Sequence, residues 1–339
     1  MTEPPRLTSE DGFFAYQWYW SEELRRVRLE QWLLNELATS LNDTRSYLID
    51  RATWASKTWD VRTIQLMLAE VDRSLDYWTR LNIERLVRAM EQGWESGQTQ
   101  AANVLNAAGL QVSVAPFISR TMLELATVTA PVLVSGISSD LQTALGRELR
   151  RSVMAQEGPL QFIQRLGGPL PVVRGLPGEP VIGSGPFAGM AATMGSVGAR
   201  GGLSLPAIGH FPTAFHRGEA VYRTEIGRLA SMANQATLGQ VASVVPGMQK
   251  RWSALVDHRS RPTHREAHGQ TVPWDQPFYI GGEALMYPRD PRASAENTIN
   301  CRCASMPWND AWSQYGAKRN LDPGTIRPWL TDAEYAAGR

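Results

Sequence analysis

A chain of 339 residues with a formal net charge of +1 is long enough for two or three domains and at least one sizeable core. So even a charge balance excludes the strongly basic class of proteins whose main task is to grip phosphate backbones. Two cysteines separated by one residue exclude a disulfide framework. A bridge between them would close a small strained ring, so reduced thiols or thiolate ligands are expected.

The first residues, MTEPPRLTSEDG, carry no positive region followed by an apolar run, so no secretory signal is expected. The apolar run at 126–137 is short and interrupted by Pro131 and Gly136, so no membrane span is expected. Residues 1–12 are polar and proline-bearing and read as a flexible N-terminal arm. Residues 13–20, FFAYQWYW, are dense in aromatics that either pack on the following helices or anchor a partner protein.

Leu24, Val27, Trp32, Leu33 and Leu37 then recur at helical spacing. A second apolar stripe runs through Leu66, Leu68, Val71, Leu75, Trp78, Leu81, Ile83, Leu86, Val87 and Met90. A third helical block covers 116–155, where Pro131 and Gly136 predict a break or kink. Together these predict a helical domain over 13–160.

From 167 to 209 the chain has 12 glycines and 6 prolines and few charges. The stretch 161–210 therefore reads as a Gly/Pro-rich linker or an extended segment lying on a partner. Its GSGPFAG lacks the GK[ST] ending of a phosphate loop, which excludes a nucleotide site.

Helical pattern returns over 211–242, with Phe215, Ala220, Val221, Ile226, Leu229 and Met232 on the apolar side and Arg223, Glu225 and Arg228 opposite. Arg223-Thr224-Glu225 superficially matches an ADP-ribosyltransferase signature. That chemistry needs the three side chains on separate strands around a nicotinamide cleft, whereas consecutive residues on one helix form local ion pairs. From about 248 onward short strands and turns are expected, with GGEALMYP as a hairpin piece. The tail 308–339 reads as extended and irregular.

Chemistry-bearing side chains concentrate at 252–306. His258, His264 and His268, both cysteines, and Asp257, Arg259, Arg261, Asn297 and Asn300 all fall there. Zn²⁺ takes four ligands from thiolate, imidazole or carboxylate. His264 and His268 lie four apart, on one face if they share a helical turn; Cys301 and Cys303 lie two apart, on one side of an extended segment. A His264, His268, Cys301, Cys303 tetrahedron is the candidate metal site. The alternative is a polar network that satisfies buried backbone groups. An HNH-type nuclease built on Asp257-His258 would need a metal-binding His after Asn297 or Asn300, and no histidine follows His268.

The same stretch resembles the C-terminal domain of the phage Mu F-like minor head proteins, also described as phage head morphogenesis proteins. The resemblance rests on Asp257, Arg259-Ser260, His264, Gly269, Pro277-Phe278 and Asn300-Cys301-Arg302-Cys303. Upstream it rests on Arg217, Glu219 and Arg223-Thr224-Glu225, and it covers about 211–307. One departure is that many relatives place a His shortly before the CRC, where this chain has Glu296-Asn297-Thr298-Ile299.

The expected fold class is α+β: a mainly helical N-terminal region, a Gly/Pro-rich extended linker and a small C-terminal α+β domain with short strands and loops. The resemblance implies a structural, non-enzymatic minor head protein that binds portal or capsid proteins during head morphogenesis. It implies several copies per particle, residence in the virion head near the portal vertex and, before assembly, in the host cytoplasm. Packaged DNA is a further possible contact, for which Arg147, Arg150 and Arg151 are candidates; no membrane partner is expected. The competing reading is a metal-dependent hydrolase or nuclease built on the 257–303 cluster.

Overall fold

The computed structural model describes residues 9–54, 59–107, 120–170, 209–243, 245–254 and 260–310; for 9–25, 27, 107, 120 and 121 only the backbone is described. The calls made on residues 171–208, on Asp257, His258 and Arg259, on the side chains of 13–20 and on the tail from 311 lie outside the described residues.

The fold class is α+β. Helices α1 (Ser9–Trp54), α2 (Val61–Ala107), α3 (Arg120–Met154), α4 (Pro159–Leu166) and α5 (His210–Ala242) precede a small region of short strands. α1 opens at Ser9, inside the segment expected as a flexible arm. The described chain forms two compact units. The first draws on the chain up to Glu30, on Ala89–Leu123 and on the chain from Arg223; the second draws on Gln31–Arg88 and Glu124–Tyr222.

In the second unit, α1 buries Leu33, Leu37, Leu41 and Leu48, and α2 buries Ile64, Met67, Val71, Leu75, Trp78 and Leu86. This α2 stripe starts one residue away from the one read from sequence: Met67 is inside, and Leu66 is 63% exposed. Asp60 starts the helix by accepting the Thr63 amide at 2.7 Å, a side-chain N-cap. A polar knot sits between the helices, where the Trp78 indole donates to Ser40 Oγ at 3.1 Å and Asn82 lies against Ser40 and the Tyr222 hydroxyl. Burial pushes the Tyr222 phenol up from its ordinary value.

α3 is unbroken, so the break expected at Pro131 and Gly136 is corrected. Its Ala126, Ala130, Val134, Ile137, Leu141, Leu145 and Leu149 form one fully buried row, and that packing offsets the hydrogen bond Pro131 cannot make. By length and composition Met122–Met154 also satisfies the criterion for crossing a membrane, although a third of its most apolar window is buried within the protein. After α4, Asn42 pairs with the Leu170 backbone in both directions, at 2.9 Å and 2.7 Å.

In the first unit, Gly93 and Gly97 of α2 face Ile226 and Ala230 of α5. A Cβ on Gly93 would stand 2.8 Å from the Ile226 carbonyl oxygen, and one on Gly97 would stand 2.8 Å from Ala230 Cα. Two glycines four residues apart thus let two helix backbones touch. Over 222–234 α5 is buried on nearly every side: Thr224 is 3% exposed, and Glu225, read as lying on a polar face, is 6% exposed.

The strand region comprises β1 (Gln249–Ser253), α6 (Pro262–Glu266), β2 (Thr271–Pro273), β3 (Phe278–Ile280), β4 (Glu283–Leu285), α7 (Ala295–Thr298) and β5 (Ala304–Trp308). β1 is the centre of an antiparallel sheet of order β2-β1-β5, with Arg251 opposite Thr271 on one side and Met306 on the other. β3 and β4 form the expected hairpin, turned by Gly281-Gly282 at φ 57° and 83°, which suits a two-residue primed turn. Trp252, Phe278, Ile280, Leu285, Cys301 and Cys303 share the core of this region.

Lys250 is fully buried on β1. Its Nζ donates to the Met286 carbonyl at 2.7 Å and to Gln235 Oε1 at 3.2 Å, and it lies over the Phe278 ring. Burial lowers its pKa to about 8, with Asp275 and Asp290 opposing.

Candidate functional site: a buried His/Cys group

α6 begins at Pro262, whose ring is suited to the first helical position. It lasts one turn and directs His264 inward, where it is 2% exposed. On the other side, the chain enters β5 extended through Cys301-Arg302-Cys303. The period-two alternation buries both thiols, at 1% and 3% exposure, and leaves Arg302 partly exposed.

His264 Nδ1 lies 3.3 Å from Cys303 Sγ and 3.6 Å from Cys301 Sγ, and the three donor atoms all lie within 4.8 Å of one another. The Cys303 amide points at Cys301 Sγ, at 3.4 Å. Cys303 acting as hydrogen-bond donor draws the Cys301 thiol well below its ordinary pKa, against the opposing effect of burial, while burial pushes Cys303 well up. Such a nitrogen–sulfur group is able to hold a metal ion.

His268 stands outside this group. α6 ends at Glu266, so the four-residue spacing does not carry His268 around to His264's face. His268 lies in the following turn, and its Nδ1 accepts the Ala254 amide at 3.0 Å.

Three residues were not foreseen as direct neighbours of His264 and the thiols. Asn297 Oδ1 meets His264 Nε2 at 3.2 Å, while its own amide donates to the Ile280 carbonyl at 3.5 Å. That amide also holds the Glu283 carboxyl below its usual range. Trp252 packs edge-on to His264, ring centroids 5.8 Å apart, and its indole N–H favours the Cys303 thiolate. Arg289, 1% exposed, adopts a left-handed φ of 67° and donates Nε to the Cys301 carbonyl at 2.7 Å. It also reaches the Gly227 carbonyl at 3.0 Å. A Cβ on Gly227 would stand 2.5 Å from Arg289 Nε, so glycine is required there.

The two halves of the sequence motif meet here. Arg223 donates to Asn300 Oδ1 at 2.7 Å, and Thr224 Oγ1 accepts the Asn300 amide at 2.9 Å. Glu225 grips Arg228 at 2.8 Å and 2.6 Å, and Arg228 donates to the Arg289 carbonyl at 3.1 Å. Burial raises the Glu225 carboxyl, and Arg228 opposes that rise. The Arg-Thr-Glu run is thus a clamp on the turn that presents the thiols. Asn300, at φ 59°, is one of the residue types that tolerate that conformation.

The family model described as Phage Mu protein F like protein matches residues 206–306, and this segment is similar to that family. Among curated relatives, the NAD(+)--arginine ADP-ribosyltransferase EFV of Enterococcus faecalis is 32% identical over 100 residues, covering 30% of this chain and 20% of that protein. The uncharacterized protein YqbB of Bacillus subtilis is 30% identical over 92 residues, covering 26% of this chain and 29% of that protein. The chain thus spans under a third of the length of either relative. No solved structure matches the chain.

Proposed function

We propose that this chain is a structural minor head protein of a tailed phage or prophage, acting in head morphogenesis by binding portal or capsid subunits. The observation that carries this reading is the Mu F-like match over 206–306. Its mechanism is burial of surface between subunits. Trp54, Tyr77, Val128 and Val132 are 87%, 65%, 67% and 68% exposed, and large apolar side chains of this kind suit such contacts. The protein would work in several copies in the virion head near the portal vertex, and in the host cytoplasm before assembly. Packaged DNA would be a secondary contact, through Arg147, Arg150 and Arg151, which line an open concavity of about 420 Å³. A Zn²⁺ on the His/Cys group would serve as a structural ion.

No catalytic role is proposed. Arg223, Thr224 and Glu225 are committed to holding the Asn300 turn and Arg228, which supports leaving the transferase activity with the Enterococcus protein.

The test is deletion of the gene from its phage, with purification of the particles. Defective heads, and the protein present in wild-type procapsids or virions, are the expected result. Heads that package DNA and infect at wild-type levels overturn the reading, as does protein found only free in the infected cell. Metal-dependent digestion of DNA or protein that His258→Ala removes would replace it with the hydrolase reading.

A further inference from the structure

We propose that His264, Cys301 and Cys303 bind one Zn²⁺ through Nδ1 and two thiolates, and that Asn297 is the positioning residue that holds His264 in the tautomer this requires. The site goes beyond the assembly role and does not depend on it.

Buried free cysteines are common as small apolar side chains, so burial alone says little. What separates this pair from that ordinary case is the imidazole between them. Bond lengths of about 2.0–2.3 Å around a tetrahedral zinc put neighbouring nitrogen and sulfur donors roughly 3.5 Å apart. The two Nδ1–Sγ separations, 3.3 Å and 3.6 Å, bracket that value. The donor set, one imidazole and two thiols, is the one Zn²⁺ prefers.

The orientation of the imidazole agrees. Asn297 uses its amide hydrogens on the Ile280 carbonyl, so its oxygen faces His264 Nε2. A carboxamide oxygen only accepts, so Nε2 carries the proton and the Nδ1 lone pair faces the sulfurs. A ligand histidine whose far N–H is tied in this way is the usual outer arrangement of a zinc site. The Trp252 indole N–H gives an independent indication. It is buried with no hydrogen-bond partner of ordinary geometry, beside Cys303. A metal-bound thiolate is the acceptor such a donor needs.

Among the described residues no further His, Cys, Asp or Glu joins the group. Binding displaces the thiol protons to solvent, and zinc affinity therefore falls with acid.

The test uses the full chain, purified without chelator, with metal read by elemental analysis and affinity by competition with a chromophoric chelator. About one zinc per chain is expected, replaceable by Co²⁺ with the sulfur-to-metal charge-transfer band of a thiolate complex. Cys303→Ser should lose the ion and His268→Ala should keep it. Asn297→Ala should weaken affinity about 10–100-fold, and Asn297→Asp, which keeps an acceptor, should restore most of it. A wild-type chain that takes up neither Zn²⁺ nor thiolate-bound Co²⁺ overturns the site, whether or not the variants fold. Loss of zinc in His268→Ala overturns this ligand set. A zinc-free chain that still enters particles refutes the site and leaves the assembly role standing; a zinc-loaded chain absent from particles does the reverse.

Discussion

Replacing Gly97 with alanine tests the tightest helix contact in the first unit. In an ordinary exposed helix the change would stabilise by about 1 kcal/mol, because alanine loses less backbone freedom on folding. Here the new methyl would meet backbone: Ala230 C and Cα both at 2.8 Å, with the carbonyl oxygen closer still. Neither helix can turn that carbonyl aside without breaking its own hydrogen bonds, so α2 and α5 must separate. A separation approaching 1 Å forfeits a quarter to a half of the dispersion between facing atoms, and overpacking strain of this kind costs roughly 1–3 kcal/mol or more. With Gly93 in the same seam also opening, a gross cost of about 3–4 kcal/mol less the propensity gain leaves a net loss of about 2–3 kcal/mol. Gly146 is the internal control, because a Cβ there meets only Leu68 Cδ2 at 3.6 Å, an ordinary contact. Denaturant melts followed by circular dichroism should show Gly97→Ala clearly destabilised and Gly146→Ala unchanged or stabilised by up to ~1 kcal/mol. A Gly97→Ala protein as stable as the parent, or two variants that lose equally, would refute the close-packed seam.

Lys250 carries the pH prediction. Its folded pKa, about 8, lies below the ordinary lysine value of 10.5, so between these pH values the unfolded chain holds a proton the folded one lacks. Stability should rise with pH across that window, by about 3 kcal/mol in all, and Lys250→Met should flatten the rise; an equal slope in both proteins would count against the burial argument. Thr224→Val keeps the shape but strands the Asn300 amide, and it should cost about 1–3 kcal/mol in the same melts, with a null effect arguing against the clamp.

The C-terminal site was legible because its chemistry sits in rare residue types close together: His264, Cys301 and Cys303 were read from the sequence, and they converge. His268 was grouped with them by helical spacing, but α6 ends at Glu266 and that spacing has no helix to act on. Asn297, Trp252 and Arg289 were not legible as neighbours of His264 and the thiols, because an amide, an indole and a guanidinium acquire those roles only from tertiary placement. The helical periodicities found the elements and missed details that depend on the surroundings. Pro131 is carried through by a buried row on either side of it, and Leu66 is outside because Met67 takes the inner position. Glu225 was assigned to a polar surface, yet it lies inside, paired with Arg228, because packing surrounds α5 there.

The order in which the chain is made gives the β5 strand a further significance. β5 is the last strand of the described region, yet it pairs along its whole length with β1, more than 50 residues earlier, and it follows directly on the two thiols. Until Trp308 has left the ribosome, β1 and β2 form at most a two-stranded ribbon, and such ribbons are marginal in water. Thr224 and Arg228 on α5 likewise await partners, at Asn300 and Arg289. The three-stranded sheet of this segment therefore closes late, by a long-range pairing made after nearly all of the segment has been synthesised. A nonsense mutation or a proteolytic cut just before Ala304 would remove only the end of the segment, yet it would leave β1 with an open edge.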